Sequence, residues 1–276
     1  MKISGFTIVR NAVKFNYPVV AAIKSILPIC DEMIVNVGDS DDTTLGLIQS
    51  INDPKIRIIQ TTWNMSQGST VLSNQTNIAL KACTGDWAFY IQSDEVIHEE
   101  DLPKLKQCME QHLHDLTIDA LRFKWLHFYG SFWRYRIDRG WYQKQDRIVR
   151  KNGQIESIGD AFGFARTDGE PLKIALTKCF VYHYGWVNST EDMQKRSQNA
   201  AAIGYGDNTK EMSGFGHLNR FVPYFGTHPA VMQETVRGHV VSQRDWALIQ
   251  KKYWWHPALW YRIRYKTGRR IKTALP

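Results

Sequence analysis

Gly85-Asp86-Trp87-Ala88-Phe89-Tyr90-Ile91-Gln92-Ser93-Asp94-Glu95 is the stretch whose reading decides the fold. Thr84, Gly85 and Asp86 form a turn signal, and residues 87–91 are an unbroken apolar run rich in aromatics. Such a run predicts a strand covered on both faces, as strands of parallel sheets are. It stops at a polar cluster that ends in two acids. In open α/β sheets ligands gather outside the carboxyl ends of the strands, so Asp94 and Glu95 stand where a ligand is expected.

Upstream the pattern alternates. Residues 3–9 read as a strand ending at Arg10-Asn11. Pro18 opens a helix whose apolar face is Val19, Val20, Ile23, Ile26 and Leu27, and residues 33–37 read as a second strand. The polar loop Asp39-Ser40-Asp41-Asp42-Thr43-Thr44 can cap a helix that carries Leu45, Leu47, Ile48 and Ile51. A strand at 56–59, a loop at 63–68 and a helix at 70–82 complete the series. This β-α-β-α-β-α-β order predicts an α/β fold with a doubly wound, mostly parallel, Rossmann-like sheet. Downstream, a helix at 101–113 precedes an aromatic strand at 121–129 and further short strands at 141–142 and 147–150. A strand at 180–186 contains His183 and is followed by a helix at 191–203 and a loop at 204–216.

The 276 residues are 43% hydrophobic and 22% charged, the balance of a soluble globular protein. The net charge of +8 points to an anionic partner: nucleotide phosphates, a membrane surface or nucleic acid. Cys30, Cys83, Cys108 and Cys179 form no Cys-x-x-Cys pair, so reduced thiols are expected and a zinc site is not. Met1-Lys2 lead straight into a strand pattern, and Lys24 interrupts the apolar stretch 19–29. Neither a signal peptide nor a membrane span is expected, and a cytoplasmic location is. No Gly-x-Gly-x-x-Gly follows the first strand and no P-loop lysine motif occurs, so dehydrogenase and P-loop readings lose.

Several residues are candidates for chemistry. Asp94, followed by Glu95, suits a divalent cation such as Mn2+ or Mg2+ bound through oxygen. The plainer reading makes either acid a helix cap or an ion-pair partner, and spacing leaves the two level. Asp39 and Asp41 end a strand where an acid can bond a base or ribose, although polar loops are common there. Arg10 suits a phosphate, though a lone arginine is more often a surface charge. His183, among aromatics, is either a hydrogen-bonded core residue or a metal ligand that would share a cation with Asp94. Asp146, Glu156 and Asp160 are candidates for a base. Asp160 is the least crowded by cations, and Asp146, followed by Arg147, is expected to be ion-paired.

Taken together, Arg10-Asn11, the loop 39–44, Gln75-x-Asn77-x-Ala79-Leu80 and Gln92-Ser93-Asp94-Glu95 resemble the family 2-like glycosyltransferases of the GT-A fold. The likeness covers residues 3–100 well. It continues more loosely through Trp141-Tyr142, Asp146-Arg147-Ile148-Val149-Arg150 and Tyr182-His183-Tyr184-Gly185-Trp186 with Lys195. This later part is similar to bacterial members that build lipopolysaccharide cores and other surface glycans. The resemblance implies a nucleoside diphosphate sugar donor and a glycan or lipid-linked acceptor. It places Arg10, Asn11, Asp39, Asp41, Asn77, Gln92, Ser93 and Asp94 on the nucleotide sugar. Asp94 matches the second Asp of the family's Asp-x-Asp motif, His183 a metal ligand or diphosphate contact, and Asp160 the region of the catalytic base. Residues 1–190 become the transferase domain, donor side at 1–100 and acceptor side at 101–190, with 191–276 a helical extension. Two departures stand out: Gln92 replaces the first Asp of the motif, and Asn11-Ala12 replaces a common Asn-Glu.

One displacement by an acceptor hydroxyl would invert the anomeric carbon, and the aromatic cluster including Trp125, Trp133, Trp141 and Tyr142 would stack on acceptor sugars or simply form core. The segment 251–272 interleaves Trp and Tyr with Lys and Arg, which suits peripheral contact with an anionic bilayer as well as it suits packing on the domain. The competing class is a basic, aromatic binding module without catalysis. Nucleic acid is disfavoured as its partner because the densest cations are confined to the tail and no RNA-binding motif occurs.

Overall fold

The computed structural model describes residues 1–137, 141–202, 204, 220–239, 241–243 and 245–248. The expected membrane-contact segment 251–272, and all of the expected loop 204–216 except Gly204, lie outside the described residues.

Four strands open the chain: β1 (Ile3–Val9), β2 (Glu32–Gly38), β3 (Ile56–Thr61) and β4 (Trp87–Tyr90). They alternate with α1 (Val19–Ile26), α2 (Thr44–Gln49) and α3 (Thr70–Ala82). β1 lies between β2 and β4, β3 lies outside β2, and all pairings among them are parallel. Every residue of β1 and β4 is buried. Ile3, Val9, Trp87 and Phe89 pack with α1 on one face, and Phe6, Ile8, Ala88 and Tyr90 pack with α3 on the other. Two covered faces explain the unbroken apolar runs.

The second half comprises β5 (Glu95–Ile97), α4 (Leu102–Gln111), β6 (Ala120–Tyr129), β7 (Arg134–Arg136) and β8 (Lys144–Arg150). Then come β9 (Ile155–Ile158), β10 (Gly163–Arg166), β11 (Ile174–Trp186), α5 (Thr190–Ala202), β12 (Phe221–Pro223) and α6 (Gln233–Arg237). β8 lies antiparallel between β4 and β6, β7 and β12 extend that edge, and β9 and β10 form a separate hairpin. β11 runs parallel to β6 and carries β5 antiparallel on its other side.

The strand expected at 87–91 stops at Tyr90, and β5 is an additional short strand. β11 starts six residues before the expected 180, because a bulge between Leu176 and Phe180, with Lys178 at φ 61, breaks its pattern. β5 and β11 decide the site: their register sets Glu95 opposite His183, and the Tyr184 backbone N–H donates to the Asp94 carbonyl. Among the described residues no helix is long and apolar enough to cross a membrane. The four cysteines are free.

Candidate functional site

A cavity of about 290 Å3 opens at the carboxyl ends of β1 and β4. Arg10, Gln92, Ser93, Asp94 and Asp160 line it, so the structure gathers five of the predicted residues around one space. Tyr17, Trp63, Tyr142, Phe162 and Arg196 complete much of the wall. The volume lies near the lower end for small-molecule sites.

Asp94 Oδ2 stands 3.6 Å from His183 Nε2. Burial pushes the Asp94 carboxyl up, but the His183 imidazole and the Arg196 guanidinium outweigh it, so its pKa lies below the usual carboxylate value. The imidazole is oriented from behind. His127 Nε2 lies 2.7 Å from the Tyr142 carbonyl oxygen and His127 Nδ1 lies 3.1 Å from His183 Nδ1. Burial, helped by His183, drives the His127 pKa down to about 3, so His127 is neutral near pH 7. A carbonyl only accepts, so His127 Nε2 carries the proton and its Nδ1 is a lone pair. His183 Nδ1 must then donate. With Nδ1 turned to His127, it is Nε2 of His183 that faces the Asp94 carboxylate.

Gly185 makes room for this pair. A Cβ there would sit 2.5 Å from Asp94 Oδ2 and 2.8 Å from His183 Nε2. Arg196, which sequence reasoning missed, fastens the region. It donates to the carbonyls of Phe15, Asn16 and Gly185 and stacks on Tyr17 with its guanidinium carbon 4.0 Å from the ring centroid. Nothing in its helix, rich in Gln, Lys and Asn, distinguishes it from a surface cation.

Other expected residues have different duties. Glu95 is fully buried and receives two hydrogen bonds from Arg147, at 2.7 and 2.8 Å. The second acid is thus spent on a buried ion pair and brings no charge to the cavity. Asp146 is buried and held through both oxygens by Arg122, at 2.8 and 3.0 Å, rather than by Arg147. It is not among the residues lining the cavity, and both of its proton-accepting oxygens are engaged, which removes it as a base candidate.

Asn77 also stands outside the cavity wall. It accepts from the Ser157 backbone N–H and donates to the Ser157 carbonyl, tying α3 to β9. Asn11 is buried at φ 53, and its side chain accepts from the Asp41 backbone N–H. It braces the first loop against the second, a left-handed position that asparagine tolerates. Asp41 pairs with Lys14 at 2.6 Å, exposed to solvent. Asp39 sits at the rim, accepting from Arg10 Nε and from the Trp63 backbone N–H, and both of those residues line the cavity.

A cation requires donors, and among the described residues no three His, Cys, Asp or Glu side chains cluster suitably. Asp94 and His183 alone offer an oxygen and a nitrogen. The two would supply only part of a divalent ion's coordination, and substrate phosphates and water would have to fill the rest.

The profile of glycosyl transferase family 2 matches residues 8–186, well over half of the chain. The chain belongs to that family. No curated protein sequence matches it. Among solved structures, S. aureus TarS 1-349 in complex with UDP is similar at 17% identity, covering 100% of this chain and 94% of that one, with a TM-score of 0.44. The chain spans 49% of the longer S. aureus TarS chain, at a TM-score of 0.46. Glucosyl-3-phosphoglycerate synthase from Mycobacterium tuberculosis, with Mn2+, UDP and phosphoglyceric acid, is 17% identical over 75% of this chain and 80% of that one, with a TM-score of 0.41. The family 2 match makes this chain a glycosyltransferase, and the cavity at its sheet edge is the candidate active site.

Proposed function

We propose that this glycosyltransferase moves a sugar from a nucleoside diphosphate sugar to an acceptor hydroxyl in one inverting displacement. The observation that carries the reading is that Asp94 and Asp160 line one cavity, with His183, which is not itself in the cavity wall, standing 3.6 Å behind Asp94. Arg10, Asp39 and Ser93 hold the nucleotide side at the ends of β1, β2 and β4. Asp160 takes the proton of the acceptor hydroxyl as its oxygen bonds to the anomeric carbon, and the bond from that carbon to the diphosphate breaks. Asp94 and His183 are the residues that would hold Mn2+ or Mg2+. Bound there, the ion would supply electrostatic relief for charge growing on the leaving diphosphate, an effect of several kcal/mol. Arg196 adds a fixed positive charge on the same wall.

The acceptor we infer is a glycan or lipid-linked sugar of bacterial surface polysaccharide, supported by the likeness at residues 182–186 and by the cationic aromatic segment 251–272. Liposome flotation of the full chain against one ending at Gln250 tests membrane contact, and equal flotation would sink it.

A thermal-shift panel of nucleoside diphosphates, each with and without Mn2+ or Mg2+, tests the donor. The matching nucleotide raises the melting temperature by mass action, more so with the ion. Asp94→Ala should abolish the ion-dependent part of the shift. Transfer undiminished in that variant, in the presence of chelator, would remove Asp94 from the mechanism.

A further inference from the structure

The hairpin of β9 and β10 carries Asp160 at its tip, in the four-residue connection 159–162. Ile155 and Phe164 of the strands, and Ala161 of the connection, are buried in the core. The backbone of the connection is strained all the same. Gly159 has φ 59 and Ala161 has φ 62, the latter a left-handed conformation that a residue with a Cβ holds only when its surroundings impose it. A two-stranded hairpin by itself is marginal in water, so the aim of Asp160 depends on what grips the connection from outside.

Two donors do so. Gln92 Nε2 donates to the Ala161 carbonyl at 3.0 Å, and Arg147 Nη1 donates to the Phe162 carbonyl at 3.0 Å. Both lead back to the strand-end motif. Arg147 is locked onto Glu95, and the Glu95 carboxylate accepts from the Gln92 backbone N–H at 3.2 Å. Residues 92 and 95 therefore bracket Asp94 and reach across to the Asp160 connection at the same time.

We propose that Gln92 is a positioning residue: its amide fixes the strained connection that presents Asp160 to the cavity, which rests on the reading of Asp160 as the base. This accounts for an amide where a carboxylate is expected. A carbonyl accepts only, so the residue facing Ala161 must bring a donor, and an ionised Asp or Glu has none. The charge given up at position 92 is exchanged for control of the proton acceptor.

Gln92→Glu keeps the shape and removes the donor, and Gln92→Met removes it without adding charge. Amide hydrogen exchange across 159–163 in the ligand-free chain should quicken about tenfold or more in both variants. With the nucleotide sugar that the ligand panel selects, kcat should fall about tenfold or more, while KM for the donor stays within about twofold. Unchanged exchange in Gln92→Met, or a rise in donor KM with kcat preserved, would overturn the proposal and make Gln92 a donor contact. Asp160→Asn, measured alongside, should lose kcat with exchange unaltered. If it keeps full kcat while the Gln92 variants loosen the connection, the clamp stands and the assignment of the base falls.

Discussion

Among the described residues no charged side chain from Ile3 to Ile91 is buried, whereas Glu95, Asp119, Arg134, Arg136, Asp146, Arg147, Arg150, Arg196 and Asp245 all are. The first half buries uncharged polar groups only, such as Ser4, Thr7 and Asn36, and is otherwise apolar. The second half is cross-linked by guanidinium groups. Arg147 holds Glu95, Arg122 holds Asp146, Arg134 holds Asp245, and Arg150 donates to the carbonyls of His112, Leu113, Asp115 and Ile118. Apolar burial is non-directional and tolerates small adjustments, while a buried ion pair fixes a distance and an angle. The first half thus resembles an ordinary packed layer, and the second half is braced by charge.

The largest effects test this contrast directly. Phe89→Ala removes a core ring that stacks on Phe123 and should cost about 3–5 kcal/mol in urea unfolding. Arg147→Met should cost a similar amount, about 3–5 kcal/mol, because it strands the Glu95 carboxylate without a partner. The two losses differ in their remedy. Adding Glu95→Leu to Arg147→Met should recover much of the stability, since no orphaned charge remains. A double variant no more stable than Arg147→Met would show that the pair acts through shape rather than charge.

Acid should act mainly on the second half. Burial drives the His228 pKa down to about 4, against the pull of the Phe132 carbonyl that its Nε2 meets. Unfolded, the ring titrates near pH ~6.5. Above that pH neither state is protonated and stability is full. As pH falls from ~6.5 toward 4 the unfolded chain takes up the proton first, so stability drops by about 1.4 kcal/mol per pH unit before levelling off. His228→Gln should make that stretch of the profile shallower, leaving the slope that His127, also depressed, contributes, and an unaltered slope would place the acid sensitivity elsewhere.

Gly185→Ala examines the seam between the halves. Its added methyl should part Asp94 from His183, weakening the ion-dependent nucleotide shift by roughly 10–100-fold. Unfolding should change by no more than ~1–3 kcal/mol. An ion-dependent shift equal to that of the parent would mean that the pair does not hold the ion. The smallest effect belongs to the rim of the first half. Lys14→Ala breaks an exposed pair with Asp41 and should move stability by less than about 1 kcal/mol.

The same contrast governs what could be read from the sequence. β1, β2, β4 and α3 announce themselves because strands covered on both faces and an amphipathic helix leave periodic signatures. β8 does so only for residues 147–150. The Lys-Gln-Asp before them looks solvent-exposed until Arg122 is seen to neutralise Asp146. Asp94 and Asp160 were legible as isolated acids near strand ends. A meeting of Asp94 with His183 was one of two readings of that histidine, but the relations to Gln92 and Arg196 were not legible, because they arise from one carbonyl at Ala161 and from three backbone carbonyls gathered by Arg196. None of these leaves a mark on local composition. For the same reason Asn77, Asn11 and Asp41 looked like ligands although their side chains brace the scaffold.

The docking of β5 on β11 also sets an order of events during synthesis. Asp94 emerges from the ribosome early, with the apolar strands that fold around it, but its imidazole partner arrives only with the last long strand of the sheet. Domains generally fold as units while the chain is being made, and long-range pairings close late. A nascent chain that stops short of His183 can carry much of the first parallel layer and still lack the imidazole that faces Asp94. The Asp94–His183 pairing is in this way tied to completion of the sheet.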